Sequence, residues 1–219
     1  MALTKEEINR KLLHVISGTA IPAGIFYLPK IEGISNMFPV VALGLLLVGS
    51  ILLEYLRFHN AVIQKLFLSI GSNMLRSSED KSVTGATYIF ASAFICSILF
   101  FDNPEISFIV ISLFILGDAI AAIVGISIGR IKIGKKSLEG SLACFFLGLI
   151  LFFFVYPNTP MIMDSWNGKI ALPLILIASF SNTIFELFPI KIGKFIINDN
   201  LTVPVITGLA LLYLTPFFQ

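Results

Sequence analysis

Long apolar blocks, each near the ~20 residues that a bilayer-crossing helix needs, alternate with short polar breaks along most of this chain. Seven blocks qualify, at about 12–29, 38–56, 83–101, 106–128, 141–157, 169–188 and 201–218. The first is the weakest, because it carries His14 and Pro22. Between the second and third lies 60–76, NAVIQKLFLSIGSNMLR. Val62, Leu66 and Ile70 recur there at helical spacing, with Lys65 and Arg76 to one side, which predicts an amphipathic helix lying at the interface. Thr4-Lys5-Glu6-Glu7 reads as a capping box that opens a helix. The pattern predicts an all-α fold: a polytopic transmembrane helical bundle of about seven crossings with one interfacial amphipathic helix. No internal repeat or low-complexity linker is evident, so residues 1–219 read as a single membrane domain.

Composition agrees with the pattern. The chain has 219 residues, 57% hydrophobic and 13% charged, where soluble domains carry roughly a quarter charged residues. Mean hydropathy is +0.95. A net charge of +2 is too small to imply nucleic acid as a partner. Cys96 and Cys144 lie in apolar blocks and suggest small core residues, not a disulfide framework or a metal site. The charged N-terminus MALTKEEINRKLLH lacks an apolar run with a small-residue cleavage site and reads as mature protein.

Charge then orients the bundle. With seven crossings, thirteen Lys and Arg residues fall on one side and only Lys30 and Lys169 on the other. The positive-inside rule places the N-terminus and the loops 57–82, 129–140 and 189–200 in the cytoplasm. Polar residues gather toward that side in helical stripes: Asp118, Ala122, Gly125 and Gly129; Ser179, Asn182, Thr183 and Glu186; Arg10, His14 and Ser17; and Thr84, Thr87 and Tyr88. Polar groups facing lipid would go unsatisfied, so the stripes are expected to face one another around a water-accessible cavity.

The sharpest single residue is Asp118, an acid within an apolar block, where ionisable groups mark function by default. It could bind metal or phosphate or accept a proton. Gly125-Ile-Ser-Ile-Gly129 is a GxxxG step, suited to close helix packing or to a ligand approaching the backbone. The loop Gly129-Arg-Ile-Lys-Ile-Gly134-Lys135-Lys136-Ser137 nearly matches a P-loop, but Lys136 stands where that motif needs Ser or Thr. The strand-loop-helix context is missing too, which excludes a Walker fold. Several cations and free backbone N–H groups near a helix start can still hold a polyphosphate. Ser137, Glu139 and Gly140 close this loop, while Glu186 and Asp199-Asn200 flank another short polar loop. Glu54 and Arg57 are spaced for an i, i+3 ion pair. Tyr156 and Trp166 suit an outer interfacial belt, and Phe152, Phe153 and Phe154 suit a lipid-facing surface.

In order and spacing these residues resemble the CTP-dependent lipid-alcohol kinases: dolichol kinase, phytol kinase and the CTP-dependent diacylglycerol kinase. The resemblance rests on Gly117-Asp118, Ala122, Gly125, Gly129 and Lys136-Ser137-x-Glu139-Gly140-Ser141. It continues in Glu186 and Asp199-Asn200-Leu201-Thr202-Val203-Pro204. Arg10-Lys11-x-x-His14 and Thr84-Gly85-Ala86-Thr87-Tyr88 are similar as well. The resemblance implies CTP as phosphoryl donor, Mg2+ or another divalent cation, and a lipid alcohol entering from the bilayer as acceptor. It implies metal or base duties for Asp118, Glu139 and Asp199, in an order left open. Lys135, Lys136 and Ser137 would hold the triphosphate beside Gly125, Gly129 and Gly140. Asn200 and Glu186 would orient nucleotide or acceptor, with Arg10 and His14 in supporting places.

Two rival functions share the pattern. A CTP:phosphatidate cytidylyltransferase also combines CTP, metal and lipid, but its C-terminal Pro-Gly-His-Gly-Gly block is absent. A transporter could use Asp118 and Glu186 as coupling acids, although transporters are often built from repeats.

Overall fold

The computed structural model describes residues 5–71, 82–193 and 195–218. Among them the chain forms eight α-helices: α1 (Lys5–Tyr27), α2 (Phe38–His59), α3 (Ala61–Gly71), α4 (Gly85–Leu99), α5 (Pro104–Ser127), α6 (Leu138–Ile150), α7 (Leu172–Leu187) and α8 (Asp199–Phe218). Pro39, Pro104 and Pro173 sit in the first turns of α2, α5 and α7, where a missing N–H costs nothing. Helix α6 continues through a π turn, Leu151–Val155, and a 3-10 turn, Tyr156–Asn158.

Helix α5 is the centre of the molecule. It packs against α1, α4, α6, α7 and α8, and a helix apolar on all sides belongs inside. By contrast, α2 turns Val41, Leu45, Val48, Ile51 and Leu52 outward. Such a surface suits lipid and not water.

Among the described residues, four helical stretches are long and apolar enough to cross a membrane: Phe38–His59, Pro104–Ser127, Leu138–Asn158 and Asp199–Phe218. The chain therefore reads as a multi-pass membrane protein, but the expected seven crossings are not found. Helices α4 and α7 have only 15 and 16 residues. At ~1.5 Å per residue they fall short of a hydrocarbon core of ~30 Å. Helix α1 opens on the charged run Lys5-Glu6-Glu7. Of the expected interfacial helix at 60–76, α3 is present and 72–76 lies outside the described residues.

Further expectations change. Tyr156 and Trp166 are buried, as is Phe152, while Phe153 and Phe154 face outward. The Tyr156 hydroxyl donates to the Ile109 carbonyl at 3.2 Å and lies 3.0 Å from Ser112 Oγ. Thr84 and Thr87 turn toward α2. Both hydroxyls donate to Glu54 Oε1, at 2.7 and 3.2 Å, and Glu54 Oε2 accepts from Arg57 Nε at 2.5 Å. The expected i, i+3 pair thus exists as a buried network tying α2 to the start of α4.

Two small antiparallel hairpins complete the fold. The first pairs β1 (Lys132–Ile133) with β2 (Lys136–Ser137), and the second pairs β3 (Lys191–Ile192) with β4 (Phe195–Ile196). Gly134 and Gly193 both take φ +60°, a conformation that favours glycine. Both hairpins use one pentapeptide, Ile-Lys-Ile-Gly-Lys, at 131–135 and 190–194. The chain therefore does contain an internal repeat, too short to emerge from hydrophobic periodicity alone.

Candidate functional site

The end of α5, the first hairpin and the start of α6 form one tight unit. Ser137 caps α6, its Oγ accepting from the Gly140 N–H at 3.2 Å, the usual N-cap geometry. The Glu139 carboxylate reaches back to accept from the N–H groups of Arg130 and Ile131, at 2.9 and 3.1 Å. A Cβ at Gly125 would meet Ser137 Oγ at 2.9 Å, one at Gly129 would meet it at 2.6 Å, and one at Gly140 would meet the Ala121 carbonyl at 2.5 Å. The GxxxG step is thus where α5 closes on the hairpin and on α6.

This unit aims Lys136 at the next one. Lys136 Nζ lies 2.7 Å from Glu186 Oε1 and 2.9 Å from Asp199 Oδ2, and it also donates to the Glu186 carbonyl. An ammonium has three donors, and here each has an acceptor. The contact joins the Lys-Ser-x-Glu-Gly loop to the end of α7 and the start of α8, segments 50 and 63 residues away. Burial depresses the Lys136 ammonium, but the Glu186 and Asp199 carboxylates outweigh it and hold its pKa above the ordinary lysine value.

Asp118 lies nine residues before the end of α5. Lys11 Nζ, from α1, sits 2.5 Å from Asp118 Oδ2 and 3.3 Å from the Asp118 carbonyl, and His14 Nε2 is 3.6 Å from the same carboxylate oxygen. The α1 and α5 stripes therefore meet as expected, through His14 and through buried Lys11. Lys11 is absent from the set of candidate residues inferred from sequence. Its position one turn before His14 was the available signal. Asp118, Lys136, Glu186 and Asp199 act electrostatically on one another. Three carboxylates face two lysine ammoniums in this cluster.

Other candidates stand apart. Asn200 Nδ2 donates to the Gly85 carbonyl at 3.1 Å, tying α8 to α4. Lys135 is exposed at the hairpin turn. The side chain of Arg10 lies outside the described residues. Of Asp118, Glu139 and Asp199, expected as a metal set, Asp118 and Asp199 belong to the charged cluster while Glu139 is turned to the backbone N–H groups of Arg130 and Ile131. No group of three or more His, Cys, Asp or Glu side chains able to hold a metal occurs among the described residues.

The inner face of α7 carries unmet hydrogen-bonding capacity. Glu186 Oε2, Asn182 Oδ1 and Ser179 Oγ are buried without a hydrogen-bond partner, on successive turns of one helix. Burying a polar atom unpaired costs about 1–3 kcal/mol, so this face is poised to receive donors. Opposite it, a Cβ on Gly117 would meet Asn182 Nδ2 at 2.8 Å, and one on Gly148 would meet Ser179 Oγ at 2.8 Å.

No family model matches the chain, and no solved structure matches it. It is similar to an uncharacterized protein of Rickettsia prowazekii (strain Madrid E), 29% identical over 210 residues, which span 91% of this chain and 90% of that protein.

Proposed function

We propose that the protein is a CTP-dependent kinase that phosphorylates the hydroxyl of a membrane lipid alcohol, either an isoprenoid alcohol or diacylglycerol. The observation that carries the reading is the triple contact of Lys136 with Glu186 and Asp199. Two sequence blocks that carry the family resemblance, remote in the chain, meet at one charged cluster beside Asp118. Phosphoryl transfer depends on positioning and charge neutralisation more than on covalent chemistry by the protein. Lysines, a hairpin and a helix start at one end of an apolar bundle supply both. The Lys and Arg residues of the loops 129–140 and 189–200 favour the cytoplasm for that end, where nucleotide is available.

In this reading the acceptor oxygen attacks the γ-phosphorus of CTP. The bond from that phosphorus to the bridging oxygen breaks, and its electron pair leaves with CDP. The hydroxyl proton passes to a carboxylate of the cluster, and Glu186 Oε2 is its buried oxygen without a hydrogen-bond partner. The described residues gather no metal set of their own. A divalent cation carried by the triphosphate needs only one or two protein carboxylates, and Asp118 and Asp199 are at hand.

The test is purified protein with γ-labelled CTP and a panel of lipid alcohols. Label should appear in a phospholipid, with CDP as co-product, and Asp118→Ala should lower the rate about 100-fold or more. A CDP-lipid with pyrophosphate would replace the reading by cytidylyl transfer. The repeated hairpin favours a second reading, a transporter, since transporters are often built from repeats. Nucleotide-independent uptake into proteoliposomes would establish it and end the kinase reading.

A further inference from the structure

The two hairpins are copies of one device. They share five consecutive residues, the same two-residue antiparallel pairing, and a glycine at φ +60° at the turn. Each follows a helix that carries a polar stripe, α5 or α7, and leads into a long apolar one. Lys191 holds in the second hairpin the register position of Lys132 in the first: their cross-strand partners are Ile196 and Ser137.

The packing repeats as well. Both α5 and α7 pack against both α6 and α8. The four helices close a ring in which α5 and α7 hold equivalent places, as do α6 and α8. The chain core thus contains two helix–hairpin–helix units packed on each other, with Lys136 of the first unit bonded to the flanks of the second hairpin. Ligand sites in repeat-built membrane proteins lie at the seam between units.

The lysines divide into two kinds. Lys136 has all three donors occupied. Lys132, Lys135 and Lys191 are exposed, and Lys132 Nζ makes a long 3.4 Å contact to the Gly125 carbonyl and lies within electrostatic reach of the Glu139 carboxylate. A triphosphate carries more negative charge than the exposed lysines of one hairpin can neutralise. At the same seam Glu186 Oε2, buried and unpartnered, is an acceptor for a hydroxyl or for a cation that travels with the phosphates, not for the phosphates themselves.

We propose that the second hairpin is the other arm of the polyphosphate site, so that the ligand is held between Lys132 of the first hairpin and Lys191 of the second. The choice of a nucleoside triphosphate as ligand rests on the kinase reading. The two-armed geometry does not.

The experiment measures equilibrium binding of CTP, and separately of inorganic tripolyphosphate, to the full chain in lipid nanodiscs at fixed ionic strength. Lys132→Gln and Lys191→Gln should each weaken both ligands about tenfold, the loss expected for one charged hydrogen bond. Lys191→Arg should retain binding, and Lys30→Gln, at the other end of α1, should change nothing. If Lys191→Gln binds as wild type while Lys132→Gln is weakened, the site has one arm and the inference fails, with the kinase reading intact. If both hairpins bind tripolyphosphate yet no phosphoryl group is ever transferred, the inference stands and the kinase reading fails. A wild-type protein that binds neither ligand overturns the inference.

Discussion

Replacing Lys136 by methionine keeps most of the side-chain volume and removes the charge that three acceptors share. Glu186 is only 3% exposed and would be left as a buried carboxylate facing Asp199 with no cation between them. Removing one partner of a buried ion pair costs about 3–5 kcal/mol. Asp199 keeps a quarter of its surface in solvent and recovers part of its hydration, which puts the loss near the lower end, about 3 kcal/mol. For a chain of this size each kcal/mol moves Tm by about 2–4 °C, so Lys136→Met should lower it by about 6–12 °C. The assay is thermal unfolding of detergent-purified protein at one scan rate, pH 7. The double change Lys136→Met with Glu186→Gln removes the stranded charge as well, and should recover at least half of the loss. A Tm within about 2 °C of wild type for the single variant, or strictly additive effects in the double, would refute the argument that this contact ties the two units together.

Two further outcomes follow from the same geometry. The Lys136 pKa is raised in the folded protein, so its contribution is fully present below the unfolded lysine value of about 10.4 and disappears as pH rises through the higher folded value. The Tm gap between wild type and Lys136→Met should therefore stay constant from pH 7 to about 9.5 and shrink only in strong base; a gap already closing near neutrality contradicts the assignment. At the α5–α6 crossing, Gly140→Ala drives a Cβ to 2.5 Å from the Ala121 carbonyl, part of the backbone of a packed helix. It should cost about 1–3 kcal/mol, whereas Gly24→Ala, whose nearest neighbour is a side-chain methyl at 3.7 Å, should leave Tm unchanged or higher.

The membrane class and most helix positions were legible because apolar runs and proline-marked starts are local signals. The expected blocks at 38–56, 106–128 and 201–218 correspond to α2, α5 and α8 within a few residues at each end. Local chemistry was legible too: Glu54 pairs with Arg57 one turn away. The crossing count failed because hydropathy continues through α4 and α7 beyond the point where the helix ends. The Glu54 partner of Thr84 and Thr87 was not legible, because a stripe reveals which residues share a face but not what lies opposite.

By itself the chain determined that its polar residues must be hidden from lipid and which ones travel together on each helix. That follows from the cost of unpaired polar groups in hydrocarbon and from the 3.6-residue period. Only the tertiary structure decided the partners. It chose Lys11 for Asp118 and Lys136, not Lys135, for Glu186 and Asp199, across separations of 107, 50 and 63 residues. Pairing over such distances depends on how whole helices pack. Asp118 and the basic loop that follows its helix therefore acquire their common site only when α5, α7 and α8 come together at one end of the bundle.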